Sequence, residues 1–167
     1  MDEGLQLLVE MHQMAWNRFQ DDVKDLAPEE IDWRPLPEAN NINGIVRHLR
    51  IEAHWHLASL ERGENTPPVA YASVPLDFER NLRELDDLYT RFVAALGQLT
   101  PAALRRQSAL AYQEYPNPAA RPPHMLGFHQ ALHLAAHWGQ IRTIRNLYAK
   151  TRGRPARFFP ENPAFPA

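Results

Sequence analysis

The distribution of proline constrains this chain more than any other feature. There are 15 prolines in 167 residues, about 9 % against a typical ~5 %. An interior Pro removes a helical hydrogen bond and clashes with the preceding turn. Spread evenly, such an excess would forbid long helices. The prolines are instead clustered. Windows 1–27, 38–66, 76–100 and 124–154 contain none, and each can hold roughly six or more turns at ~3.6 residues per turn.

Apolar spacing fills those windows with helices. In the first, Leu5, Leu8, Val9, His12, Trp16, Phe19, Val23 and Leu26 recur mostly at steps of three and four, which marks one helical face that should stop before Pro28. The second starts near Asn41, an N-cap residue type, and turns Ile45, Val46, Leu49, Ala53, His56 and Leu60 inward. Gly63 is placed to cap its end. The following connector, 64–75, holds Pro67-Pro68 and should be extended. The third window carries Phe78, Leu82, Leu85, Leu88 or Tyr89, Phe92, Leu96 and Leu99, the cleanest amphipathic pattern in the chain, with Gly97 near its end. Thr100-Pro101 then reads as an N-cap followed by Pro at the first position of a short helix to about Gln107. Residues 108–123 form a long proline-bearing loop, a type that is often functional. The fourth helix runs from about Pro122 to Thr151, with Gly153 as its stop. No internal repeat and no strand-like alternation interrupts this order. The expected fold class is all-α: a four-helix bundle with long crossover connections, spanning 1–153 and followed by a proline- and phenylalanine-rich arm, 154–167.

Composition then removes whole classes of function. A hydrophobic content of 44 % is enough for a globular core, against disorder. The formal net charge is −2 and the basic residues are not blocked together, so no nucleic-acid surface is expected. No apolar run approaches the ~18 residues of a membrane span. The acidic start, Met1-Asp2-Glu3, lacks the form of a signal peptide. There is no cysteine, which excludes disulfides, zinc–thiolate sites, redox CxxC motifs and a cysteine nucleophile. A cytoplasmic setting is expected. Any metal must be held by His, Asp or Glu.

Histidine is where chemistry concentrates. His129, His133 and His137 are spaced i, i+4, i+8 and lie along one helical stripe. An i, i+4 pair can aim two imidazoles at one point, as in HExxH zinc helices, but no HExxH is present, so a metalloprotease is not expected. A third ligand must come from another helix. His48, between Ile45 and Leu49, is on or near the buried face of the second helix. If the second and fourth helices are neighbours, His48, His133 and His137 form a three-imidazole site with open positions, the pattern of a catalytic metal. Imidazole suits zinc, nickel, iron or copper. Glu52, four residues after His48, is placed either to orient that imidazole or to pair with Arg50 or Arg91. Gln140 shares the face of His137 and can hydrogen-bond it, or else stand as an exposed polar residue. Gly139 costs helix stability, so a neighbouring helix is expected to approach it closely. Trp16, Trp55 and Trp138 read as core, and His12, His54, His56 and His124 carry no assigned chemistry.

Two stretches resemble a known family. Trp33-Arg34-Pro35-Leu36-Pro37 followed by Asn41-Ile42-Asn43-Gly44-Ile45-Val46-Arg47-His48-Leu49, and His133-Leu134-Ala135-Ala136-His137-Trp138-Gly139-Gln140-Ile141, are similar to the second- and fourth-helix motifs of the DinB/YfiT-like superfamily. Trp16 also fits. The resemblance implies a four-helix bundle of non-standard connectivity and a divalent metal, zinc or nickel first and iron next, held by His48, His133 and His137. It further implies a small-molecule substrate, a homodimer, and thiol-dependent S-transferase or isomerase chemistry. Ala136 and Trp138 beside His137 depart from the family's pattern and imply a more apolar pocket. His129 adds an imidazole one turn before the pair. Two functions stay open: a metal-dependent enzyme using an external low-molecular-weight thiol, or a non-catalytic dimeric stress-response bundle whose histidines are structural. The 108–123 loop and the C-terminal arm are the expected pocket walls or partner surfaces.

Overall fold

A computed structural model describes residues 3–62, 70–100, 102–103 and 123–158. Helices account for its regular structure, and there is no strand among the described residues. Helix α1 spans Glu3–Val23, α2 Pro28–Ile31, α3 Ile42–Arg62, α4 Phe78–Gly97 and α5 Pro123–Thr151, with a 3-10 turn at Tyr71–Ser73.

The ends of these helices follow from local chemistry. Asn41 caps α3: its Oδ1 accepts the Gly44 N–H at 2.8 Å, satisfying a donor that a helix start leaves unpaired. Asp77 does the same for α4, accepting from the Arg80 N–H at 3.0 Å. The Thr100 hydroxyl accepts from the Ala103 N–H at 3.1 Å, in keeping with its expected capping role; the rest of that short helix lies outside the described residues. At the end of α5, Gly153 adopts φ +66°. The Gly153 and Arg154 N–H groups donate to the carbonyls of Lys150 and Ala149, a glycine C-terminal cap. The one-turn α2 was not foreseen. Pro28 stands at its first positions after an extended Ala27, and the fixed φ of Pro suits a helix start as well as a connector. The expected cap at Gly63, the connector 64–69 and the loop 108–122 lie outside the described residues.

Cross-helix contacts fix the direction of each helix. His12 meets Tyr89 and Trp16 meets Asp86, so α1 and α4 are antiparallel. His12 meets Gly127 and Asp22 meets Trp138, so α1 and α5 are parallel. Arg50 pairs with Glu84 and Glu61 with Arg91, so α3 and α4 are parallel. Each helix thus packs on two neighbours, and the order along the chain is up, down, down, up. Two successive parallel helices require the chain to travel back along the bundle. It has returned by Val74, whose carbonyl accepts from Arg47 near the start of α3 at 3.3 Å. This is the long crossover expected from the sequence.

The core forms where the four apolar faces meet. Phe19, Ile42, Leu49, Leu57, Leu85, Phe92, Leu96, Leu134 and Ile141 are fully buried there. A close helix approach falls at Gly127, where an added Cβ would stand 2.8 Å from Leu8 and 3.3 Å from Leu96. Gly139, expected to be the point of close approach, is exposed with nothing within 4 Å of a Cβ. It lies on the outer side of α5, away from α1 and α3, so no helix among the described residues reaches it.

Candidate metal centre

The α3–α5 contact places the three histidines. These helices run antiparallel, so a residue near the start of α3 faces the middle of α5. His48 Nε2 lies 2.9 Å from His133 Nε2, which is 3.1 Å from His137 Nε2. The three rings pack at centroid separations of 4.6, 4.8 and 4.9 Å, each steeply tilted to the others. All three residues are half-buried and offer ligand atoms within 4.8 Å of one another.

The donor set fits a cation better than it fits protons. An imidazole nitrogen carries either one lone pair or one proton. His133 Nε2 faces two other Nε2 atoms, and one proton between them serves a single pair. A cation accepts a lone pair from each ring. Two nitrogens bound ~2.0–2.1 Å from one tetrahedral zinc stand roughly 3.3 Å apart, a few tenths of an ångström from the separations seen. Electrostatics favours the ligating form as well. Burial and the neighbouring His137 lower the His48 pKa to about 4. Burial, then His137, His48, His56 and His129, lower that of His133 to about 3. Both rings are therefore neutral at pH 7, the state a metal requires.

One tautomer is set directly. His137 Nδ1–H donates to Gln140 Oε1 at 2.9 Å, which leaves the lone pair on Nε2, facing His133. Of the two roles open to Gln140, the structure shows the hydrogen bond to the imidazole. Glu52 takes neither of its expected roles. It is half-buried, and burial raises its carboxyl pKa, but it hydrogen-bonds none of the described residues. Arg50 pairs with Glu84, and Arg91 with Glu61 and Asp87.

The imidazole row continues beyond the triad. His129 stacks on His133 at 5.8 Å with planes 7° apart. His56, buried on α3, lies edge-on 5.1 Å from His129. His56 had no assigned chemistry in the sequence, although a signal was present. It follows His48 by eight residues, as His137 follows His129, so antiparallel helices bring both sets to one seam. Trp138 corrects another expectation. Its indole N–H donates to Asp22 on α1 and Arg142 stacks 4.2 Å over its ring. It turns toward α1, while Ala136 is exposed; neither builds an apolar wall at the triad. Trp16 is core, and Trp55 stacks on His56 at 5.7 Å.

The molecule so described is an all-α bundle with a three-histidine cluster bridging two antiparallel helices. The chain belongs to the DinB superfamily, whose family model matches residues 11–141, a span that includes His48, His133 and His137. Neither the curated proteins nor the solved structures gave a match. No helix among the described residues is long and apolar enough to cross a membrane.

Proposed function

We propose that this protein is a metal-dependent enzyme that transfers a low-molecular-weight thiol to an electrophilic small molecule, or carries out a related isomerisation or hydrolysis. The reading rests on one observation: His48, His133 and His137 each offer a ring nitrogen within 4.8 Å of the other two. These three residues would hold a divalent ion, zinc or nickel first and iron next, since imidazole is their shared ligand. When bound, such an ion supplies Lewis acidity and lowers the pKa of a coordinated thiol or water. The chain itself contributes the rest. Gln140 orients His137, and burial keeps His48 and His133 neutral. The triad is half-buried rather than sealed in the core, as access for a small molecule requires. With no cysteine in the chain, a thiol nucleophile must come from outside. The protein would act in the cytoplasm as a homodimer. Exposed Leu7 and Met14 on α1, and Phe128 and Leu132 on α5, offer apolar ground for a second copy.

Metal analysis of untagged protein tests the reading directly. Stoichiometric zinc or nickel is expected. Chelation should lower the melting temperature and re-addition should restore it, since a ligand at ~100 times its Kd stabilises by about 2.7 kcal/mol. His133→Ala should abolish both metal content and this response while the helical spectrum persists. Metal-free protein that ignores added ions, with His133→Ala unchanged, would sink the proposal. A large metal-dependent shift without turnover across a panel of thiols and electrophiles would favour the non-catalytic bundle.

A further inference from the structure

Two buried polar atoms on α5 lack a hydrogen-bond partner among the described residues, and they complement each other. One is His133 Nδ1; the other is Gln130 Oε1. Gln130 is only 1 % exposed, and buried groups of this kind are rarely left unpaired. Gln130 precedes His133 by three residues, so the two are neighbours on the helix surface, with Cβ atoms ~5–6 Å apart. Helical side chains lean over the turn before them, and the His133 ring lies nearly parallel to that of His129, one turn earlier. Where the three Nε2 lone pairs meet one cation, the His133 ring must carry its proton on Nδ1. It is then a donor without an acceptor, one turn from an acceptor without a donor. The other α5 histidine shows the completed arrangement: His137 Nδ1–H donates to Gln140, also three residues away.

We propose that Gln130 is the positioning residue of His133. Its Oε1 accepts the Nδ1–H, directly after rotation about its side-chain bonds or across one buried water. This fixes the tautomer that aims Nε2 at the triad. A carbonyl on the far nitrogen also raises the basicity of the ligating one. The inference rests on the three-imidazole reading above and adds a residue to it.

The test uses the untagged full chain, with Co2+ and Zn2+ as probes. Gln130→Met keeps length and volume but removes the acceptor. It should keep the helical spectrum and a cooperative melt in chelator, yet bind Co2+ about 10–100-fold more weakly. Gln130→Glu should restore affinity. Nitrogen-15 spectra of the zinc-loaded parent should place the His133 ring proton on Nδ1, slow to exchange with solvent, and Gln130→Met should make it fast. Parent-like Co2+ affinity in Gln130→Met would overturn the proposal. So would a His133 ring proton on Nε2, or one on Nδ1 that exchanges freely, in the parent itself; neither needs a variant to fold. Folded parent that binds no Co2+ would overturn the three-imidazole reading and the role of Gln130 with it, so the parent alone tells the two failures apart.

Discussion

At the scale of single residues, one side chain type serves two opposed purposes in this bundle. His12 is fully buried with both nitrogens satisfied: Nδ1 accepts from the Tyr89 hydroxyl at 2.6 Å and Nε2–H donates to the Gly127 carbonyl at 2.9 Å. It is a core group linking three helices. His48 and His133 leave their Nε2 atoms facing each other instead. Burial lowers the His12 pKa to about 4 against the ordinary 6.5, a shift only partly offset by the bond to Gly127. The unfolded chain therefore binds a proton that the native chain refuses, and stability rises with pH across that window. The contribution is fully present above pH about 6.5 and is lost as the pH falls toward about 4. From 6.5 to about 4 it amounts to about 3 kcal/mol, at ~1.36 kcal/mol for each tenfold change in protonation. Urea melts of the parent and His12→Gln at intervals between pH 7 and 4 check this. The variant should start less stable and decline less steeply on acidification. Parallel declines would show that His12 does not carry the slope. The sequence alone does not separate these uses. His12 and His48 both sit among apolar residues at helical spacing, and only the partners across the interface distinguish a satisfied imidazole from a convergent one.

At the scale of elements, helices were legible because prolines delimit them, whereas contacts between helices were legible only where a residue type demanded one. Asn41, Thr100 and Gly153 cap as their chemistry requires. The third apolar stripe, Phe78 to Leu99, became α4 with its face inward. Glycine misled, because its sequence says that a helix tolerates it, not which face it occupies. Gly139 was expected at a close approach and is open to solvent; Gly127, equally visible, is the crowded one. Substitution should separate them. Gly139→Ala removes backbone freedom from the unfolded chain and meets nothing, so it should stabilise by roughly 0.5–1 kcal/mol. Gly127→Ala gains the same propensity but drives a methyl against Leu8 and Leu96, and overpacking of a filled core costs typically ~1–3 kcal/mol. It should lower the melting temperature while Gly139→Ala raises it. Equal shifts in one direction would contradict the packing described. Gly139→Ala should leave metal binding intact, because the triad lies on another face of α5.

At the scale of the whole molecule, residues distant in sequence are drawn to a single buried cation. The four long helices follow from the prolines, but their directions do not. The up, down, down, up order emerges from contacts such as that of Asp22 with Trp138, which no local pattern contains. Arg145, only 3 % exposed, is the densest of these meeting points. Its guanidinium donates to Glu30 on α2 at 2.8 Å, to Asp25 at 3.1 Å, and to the Asp22 carbonyl at the end of α1. Arg157 bonds the same Asp25, and Asn146 holds the backbone of Phe158 through both its amide atoms at 2.9 and 3.1 Å. The beginning of the C-terminal arm is thereby tied to both α5 and the α1–α2 corner. Glu30 is also buried, so the pair has surrendered its hydration. In such a pair the Coulombic gain roughly offsets desolvation, while removing one partner strands the other charge. Arg145→Met should therefore destabilise by about 3–5 kcal/mol. The double variant Arg145→Met with Glu30→Met should recover much of that loss, because no buried charge is then left alone. Denaturant unfolding of the two single variants and the double variant measures the coupling. Additive losses would mean that Arg145 holds the corner through the Asp22 carbonyl and Asp25 rather than through Glu30.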